Sequence, residues 1–331
     1  MRILAVECGR LVGRSPAFLA QVAKIPMIAR CNAEVLIRGE TGTGKELVAR
    51  AIHDARPSQR GPFVPVNCGA IPVELVENEL FGHARSAYTG ADLDRPGLVE
   101  EAAGGTLFLD EVDWLPALAQ VKLLRFLQEK EFRRLGSTRT RKSDARVIAA
   151  TNSDVARAVE SGRLRRDLFY RLNVLPINLP PLRERREDIS LLVRYYVSRY
   201  SRELGRPEAL LAPGVVEMLG ARDWPGNVRE LEHVLYRALV LADGRPRLER
   251  LDFLLSEDGT QPAGAVGERA SFREAKAQMV ARFERDYLAE VLAAAGGNIS
   301  RAARLAKKNR RALFELIKKH HIGVERFRSS G

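Results

Sequence analysis

The stretch Gly39-Glu40-Thr41-Gly42-Thr43-Gly44-Lys45-Glu46 constrains the fold more than any other part of the chain. It follows an apolar, β-leaning run, Val35-Leu36-Ile37, and leads into the helix-like Leu47–Ile52. A strand, a glycine-rich loop and a helix in this order form a phosphate cradle. The glycines let backbone N–H groups turn onto phosphate oxygens, the helix start adds its positive dipole end, and Lys45 adds a full charge. Glu46 stands where most such loops carry the Ser or Thr that ligates Mg2+, so a magnesium ion has to find its protein ligand elsewhere.

The rest of the first half alternates strand-like and helix-like segments, the pattern of an α/β fold with a parallel sheet. Strands are expected at Val35–Arg38, Phe63–Asn67, Thr106–Leu109 and Arg146–Ala150, each short, apolar and β-branched or aromatic. Ala119–Glu129 reads as a helix, with apolar residues at Val121, Leu124 and Leu127 and a face widened by Leu123 and Phe126. After Pro180-Pro181 the pattern changes to helices alone, at Ile189–Leu204, Val215–Ala221 and Val228–Leu241. Residues 256–270, rich in small residues, Gly and Pro, read as a linker, and the remainder is helical again. The expected organisation is a short extension (1–10), an α/β subdomain (11–181), a helical lid (182–255), the linker and a C-terminal domain (271–331).

A chain of 331 residues is long enough for two or three domains. No apolar run approaches a membrane span, and the charged start excludes a signal peptide. Cys8, Cys31 and Cys68 have no paired spacing and read as reduced thiols, which points to a cytoplasmic location. The net charge is +12, and residues 271–331 hold 14 Lys and Arg against 6 Asp and Glu, a net +8. Such a concentration suits a nucleic-acid-binding module, or more blandly a solvated basic tail. Arginine outnumbers lysine 44 to 10, so a lone Arg carries little weight.

Gly104-Gly105-Thr106-Leu107-Phe108-Leu109-Asp110-Glu111 is an apolar strand that ends in two carboxylates. At the C-terminal edge of a parallel sheet these face the phosphate loop, where Asp110 suits Mg2+ and Glu111 suits the attacking water. As an isolated pair they are equally consistent with an acidic helix cap.

With these boxes in order, the chain resembles the AAA+ activators of sigma-54 RNA polymerase, the bacterial enhancer-binding proteins, from about Leu11 to Ile322. Their phosphate loop carries Glu after its Lys, as at Glu46. The resemblance implies ATP and Mg2+ as ligands, with Gly39 to Glu46 binding nucleotide, Asp110 the metal and Glu111 catalytic. Arg146-Val-Ile-Ala-Ala-Thr-Asn152 resembles the sensor I strand, which places Asn152 at the γ-phosphate. Leu164-Arg-Arg-Asp-Leu-Phe-Tyr-Arg-Leu-Asn173 resembles the arginine-finger segment, which gives finger roles to Arg165 and Arg171. Trp224-Pro-Gly-Asn-Val-Arg-Glu-Leu231 resembles sensor II, which makes Arg229 a nucleotide sensor from the lid. Asn67 matches the residue that switches the catalytic Glu. Fingers that act on a neighbour's nucleotide imply a homo-oligomeric ring, by resemblance a hexamer.

The family's surface loop reads Gly-Ala-Phe-Thr-Gly-Ala and contacts sigma-54; here it is Ser86-Ala87-Tyr88-Thr89-Gly90-Ala91. Tyr88 keeps an aromatic ring, whereas Ser86 restricts the backbone if a positive φ is required there. A second loop, about Leu135–Ser143, is rich in Arg and Lys and is expected to move with the first. At the C-terminus, Phe283–Ala295 reads as a helix ended by Gly296-Gly297. Arg301–Ala306, capped by Asn298 or Ser300, and Arg310–His320, capped by Asn309, then form a helix-turn-helix. It resembles the Fis-type domain and implies double-stranded DNA as partner and pairing of these domains. Arg310 and Arg311 are expected at bases or phosphates, and Lys307, Lys308, Lys318 and Lys319 at phosphates. A small basic bundle for protein contact is the alternative.

Together these readings describe an ATP-hydrolysing activator that opens promoters by remodelling the sigma-54 holoenzyme. The alternative is a DNA-binding AAA+ regulator whose altered loop, Ser86 and Tyr88, no longer engages sigma-54. Only about ten residues precede the ATPase core, so the usual N-terminal regulatory domain is expected to be lacking. Control then falls to a separate regulatory protein or to expression level, unless the chain is a shortened form.

Overall fold

The computed structural model describes residues 11–57, 61–87, 91–152, 154–249, 252–253, 287–288, 291–293, 295–306, 308–319 and 323. The extension 1–10, the expected linker 256–270 and the first part of the C-terminal domain lie outside them. The chain divides into two compact units between Gly259 and Thr260.

The first unit opens with α1 (Pro16–Val22) and α2 (Ile25–Ala29), followed by β1 (Val35–Arg38), α3 (Lys45–Asp54) and β2 (Phe63–Asn67). Next come α4 (Val76–Phe81), the short β3 (Gly82–His83) and β4 (Arg95–Pro96), α5 (Leu98–Glu101) and β5 (Thr106–Asp110). Then follow α6 (Ala117–Glu129), β6 (Glu131–Arg133), β7 (Thr140–Lys142), β8 (Arg146–Thr151), α7 (Val155–Glu160), α8 (Arg166–Leu172) and β9 (Leu175–Asn178). Five of these strands form one parallel sheet in the order β2-β5-β8-β1-β9. The three inner strands are buried almost end to end, as a parallel sheet with both faces covered requires. Their side chains alternate. Leu36, Leu107, Leu109, Val147 and Ala149 join a core with Phe81, Phe126 and Leu172 on one face. Val35, Ile37, Phe108, Ile148 and Ala150 join Phe18, Ile25, Val48 and Ile52 on the other.

The four strands expected from sequence are present, and the fifth, β9, has no counterpart among them. Its core is Leu175-Pro-Ile-Asn, and a proline inside a four-residue run argues against a strand. The sheet resolves this by placing β9 at an edge, where a missing N–H costs no ladder bond. β2, which carries Pro65, forms the opposite edge. Helix α6 is rotated from its expected face. It buries Ala119, Gln120, Leu123, Phe126 and Leu127, whereas Val121 is 43% exposed.

The lid packs α9 (Ile189–Glu203), α10 (Val215–Gly220) and α11 (Asn227–Leu241) around Trp224, Leu231, Leu235 and Val215. The expectation of helices alone is corrected by β10 (Leu210–Leu211) and β11 (Arg247–Leu248), a two-residue parallel pair too short to show a period. In the second unit, α12 (Ile299–Leu305) and α13 (Arg310–Lys319) close a small core of Leu288, Leu292, Ala295, Ala302, Ala303, Leu313 and Ile317.

Candidate functional site

Parallel strands deliver their C-terminal ends to one edge of the sheet, where ligands of such folds bind. Here that edge receives Gly39–Gly44 after β1, Asn67 from β2, Asp110 and Glu111 from β5, and Asn152 after β8. Register pairs Asn67 with Asp110. The loop after β1 uses its glycines as expected: Gly42 has φ 79° and Gly44 φ 100°, conformations that disfavour a Cβ. Lys45 begins α3 with its side chain buried, and its Nζ donates to the carbonyls of Gly39 at 2.9 Å and Glu40 at 3.3 Å. Burial lowers its pKa, and the carboxylates of Asp110 and Glu111 partly offset this. Thr43 Oγ1 donates to the Glu40 carbonyl. Glu46 turns outward and pairs with Arg50.

Asp110 Oδ1 accepts the Glu111 amide at 3.0 Å. Glu111 itself takes φ 55°, an uncommon left-handed position for a residue with a side chain. Its carboxylate lies against Gly69, where an added Cβ would stand 2.4 Å from Oε2. Asn67 caps the same turn, its Oδ1 accepting from the amides of Gly69 at 2.9 Å and Ala70 at 3.1 Å. Asn67 and Glu111 are thus neighbours across one glycine. Three carboxylates, Asp110, Glu111 and Asp113, act on the Cys68 thiol. Burial pushes its pKa up to about 12, and the carboxylates reinforce the shift. Asn152 Nδ2 donates to Thr41 Oγ1 at 3.1 Å, which brings the end of β8 to the loop.

The lid closes over the outer side of the loop. The Val228 amide donates to the Gly42 carbonyl at 3.1 Å, and Arg229 follows on the first turn of α11. A Cβ on Gly42 would stand 3.1 Å from Arg229 Cβ. Glu40 turns toward the lid, where Arg183 grips it with two bonds of 2.6 and 2.8 Å. Arg165 and Arg171 behave differently. Arg165 stands at the position before α8 and its side chain pairs with Asp167, and Arg171 donates to the Leu127 carbonyl. Both are exposed, and among the described residues neither bonds the loop or the acidic pair.

At the surface loop, Ser86 has φ 61°, so the sequence places serine where the backbone is left-handed. The Ser86 amide donates to the Ala91 carbonyl at 2.7 Å and closes the loop base; Tyr88, Thr89 and Gly90 lie outside the described residues. The second loop is the β6–β7 hairpin, and it is joined to the first. Ala84 N–H donates to the Leu135 carbonyl and Leu135 N–H to the Gly82 carbonyl, both at 2.9 Å. Arg134, 8% exposed, pairs with Glu100 at 2.8 Å and with Asp94 at 3.4 Å. In the second unit, Asn298 caps α12 through the Arg301 amide, and Asn309 Oδ1 accepts the Arg311 amide at 2.9 Å. Lys308, Arg310, Arg311, Lys318 and Lys319 are exposed, as is Phe314; Lys307 and His320 lie outside the described residues.

Residues 11–178 match the family described as the Sigma-54 interaction domain, residues 183–263 the AAA+ ATPase lid domain, and residues 280–320 the Fis family of bacterial regulatory proteins. The chain belongs to the sigma-54 enhancer-binding regulators. It is 44% identical over 328 residues to the regulatory protein AtoC of Escherichia coli, covering 96% of this chain and 68% of that one. It is 45% identical over 303 residues to the transcriptional regulatory protein ZraR of Klebsiella oxytoca, covering 92% and 67%. The solved structure of NtrX from Brucella abortus in complex with ATP superposes with a TM-score of 0.68 at 36% identity, covering 95% of this chain and 70% of that one. RuvB of Thermotoga maritima, at 13% identity and a TM-score of 0.51, shares the fold alone. The chain spans about two thirds of the length of these curated regulators.

Several residues around the phosphate loop carry little or no signal in the sequence. Asp113 is buried and accepts Thr151 Oγ1 at 2.6 Å behind the acidic pair. Arg183, Arg185 and Asn227 all reach the phosphate loop. Only Asn227 gives a signal, as the residue that opens the helix within Trp224–Leu231. No described helix is long and apolar enough to cross a membrane.

Proposed function

We propose that this chain is an ATP-hydrolysing transcription activator that binds upstream DNA and remodels the sigma-54 RNA polymerase holoenzyme. The observation that carries the reading is the convergence of Lys45, Asp110–Glu111, Asn152 and the start of α11 around one phosphate-loop backbone. Backbone amides of Gly42 to Lys45 bind the phosphates, and Lys45 leaves its carbonyl partners for them. Glu111 holds the attacking water and accepts its proton, and Asn67 sets its position across Gly69. Asn152 and Arg229 report the γ-phosphate from the sheet and the lid. Arg165 and Arg171 act on a neighbouring subunit's nucleotide, which suits their exposure and the absence of a described bond to this chain's own site. That role requires a ring, taken as a hexamer.

The donor set fits magnesium. Asp110 offers a hard carboxylate oxygen at the loop, and among the described residues no cluster of three or more acidic, His or Cys ligands competes. When bound, Mg2+ neutralises phosphate charge. Turnover drives the joined loops, Ser86–Ala91 and 134–139, against sigma-54, while paired α13 helices lie in the major groove.

The deciding experiment is open-complex formation by sigma-54 polymerase with and without hydrolysable ATP, alongside steady-state ATPase. ATP-dependent opening is expected. Hydrolysis and DNA binding without opening would favour the second reading, a regulator uncoupled by Ser86, whose left-handed backbone is the observation behind it.

A further inference from the structure

A phosphate loop presents its N–H groups inward, so its carbonyls face outward. Here three successive outward carbonyls are taken by donors from beyond the sheet. Asn227 Nδ2 reaches Thr41 O at 3.0 Å, the Val228 amide reaches Gly42 O at 3.1 Å, and Arg185 Nη2 reaches Thr43 O at 3.1 Å. The backbones touch as well: a Cβ on Gly42 would stand 2.2 Å from the Gly226 carbonyl. Glu40 completes the grip. Its carboxylate receives both Arg183 nitrogens, and Asn227 Nδ2 at 3.1 Å. Asn227 is fully buried, holds φ 55°, and its Oδ1 accepts the Leu182 amide at 2.7 Å, so it ties the segment before α9 to the start of α11.

We propose that Glu40, Arg183 and Asn227 form a clamp that couples the lid to what the phosphate loop holds, and that Glu40 is a positioning residue, not a phosphate ligand. This rests on the reading of the loop as a nucleotide site. The loop cannot settle around phosphates without moving carbonyls that α11 is bonded to. Arg229 sits two residues beyond Asn227, so the clamp also sets its approach. The Glu40–Arg183 pair is about 40% exposed on each side, and an isolated pair of that kind contributes little. Its weight here comes from the two-pronged geometry and from Asn227 sharing the same carboxylate. The coupling requires these contacts to differ between the nucleotide-free and nucleotide-bound states, which is what the test reads.

The test uses the full chain with Arg183→Glu, Glu40→Arg and the double swap, and ADP as the probe. Calorimetric titration gives affinity. Hydrogen exchange gives protection of the loop (39–46) and of the lid (226–241) separately. In the parent, ADP is expected to protect both segments. Each single reversal is expected to weaken ADP about tenfold, since attraction becomes like-charge repulsion. It should also leave the loop protected while the lid stops responding. The double swap should restore the lid response. A merely structural role would lower the melting temperature without separating the two segments. A single variant whose lid responds to ADP as in the parent overturns the clamp, and so does a folded double swap no better than the worse single variant. A parent chain that does not bind ADP overturns the nucleotide-site reading itself, and the clamp with it.

Discussion

Gly136→Ala tests whether the two surface loops act as one lever. Gly136 has φ 70°, and a side chain in that conformation costs about 1–2 kcal/mol. The added Cβ would stand 2.6 Å from Ala87 Cβ and 2.7 Å from its Cα, so the loops must part by roughly an ångström to reach ordinary contact. That movement strains the two bonds between Leu135 and the segment 82–84, each contributing about 0.5–1.5 kcal/mol. The joined arrangement is therefore disfavoured by about 2–4 kcal/mol, and by less where the hairpin relaxes. At about 1.4 kcal/mol per tenfold, the ratio of joined to parted loops falls by tenfold or more over the upper part of that range. The nucleotide edge is remote in topology, because β7 feeds the N-terminal end of β8 and Asn152 follows its other end. Steady-state ATPase should stay within about twofold of the parent while open-complex formation falls tenfold or more. Full activation by Gly136→Ala would refute the lever, and so would a parallel loss of both activities.

Other outcomes follow from the same geometry. Glu111→Gln should retain nucleotide binding and lose turnover by about 100-fold or more, measured as ATPase against ADP affinity. Arg171→Ala should lose ATPase as a single variant, and mixing it with Lys45→Ala subunits should recover part of it. No recovery at any ratio would argue against fingers acting between subunits. Ser86→Gly should relieve a left-handed serine worth about 1 kcal/mol and leave open-complex formation equal to or above the parent's. Replacing Arg310 and Arg311 with Ala should cost more on a selected duplex than on random DNA. Replacing Lys318 and Lys319 should weaken both alike and flatten the salt dependence by about one unit for each phosphate left unneutralised, read from salt titrations.

The sequence was most informative where local chemistry and global position coincide. A strand, glycines and a lysine have few other uses in that order, so the loop at Gly39–Glu46 and its placement were readable without coordinates. The inner strands were readable because burial on both faces forces a continuous apolar run. Val121 misled because α6 carries apolar residues on more than one face, and only packing selects Leu123, Phe126 and Leu127 as the buried one. β9 was hidden by Pro176, since edge status is a property of the whole sheet and is not carried by four residues. Ser86 is the reverse case: sequence raised the question of a positive φ, and the backbone answers it at 61°.

The contacts that no sequence pattern announced are those between segments far apart in the chain. Arg183 and Glu40 are 143 positions apart, and Asn227 and Glu40 are 187 apart. In this Arg-rich chain a single arginine before α9 is indistinguishable from a solvated one. Glu40 inside a phosphate loop is naturally assigned to the phosphates. Folding brings the two together because the chain leaves β9 at the sheet edge next to β1 and must re-enter over the end of that strand. The same edge position that made β9 illegible is what carries residues 182–185 across the loop. A proline-tolerant edge strand and a lid gripping the phosphate loop are therefore one topological fact. A substitution that unseats β9, such as Ile177→Ala in the buried core, should loosen the lid clamp as well as the sheet, losing lid exchange protection before the inner strands open.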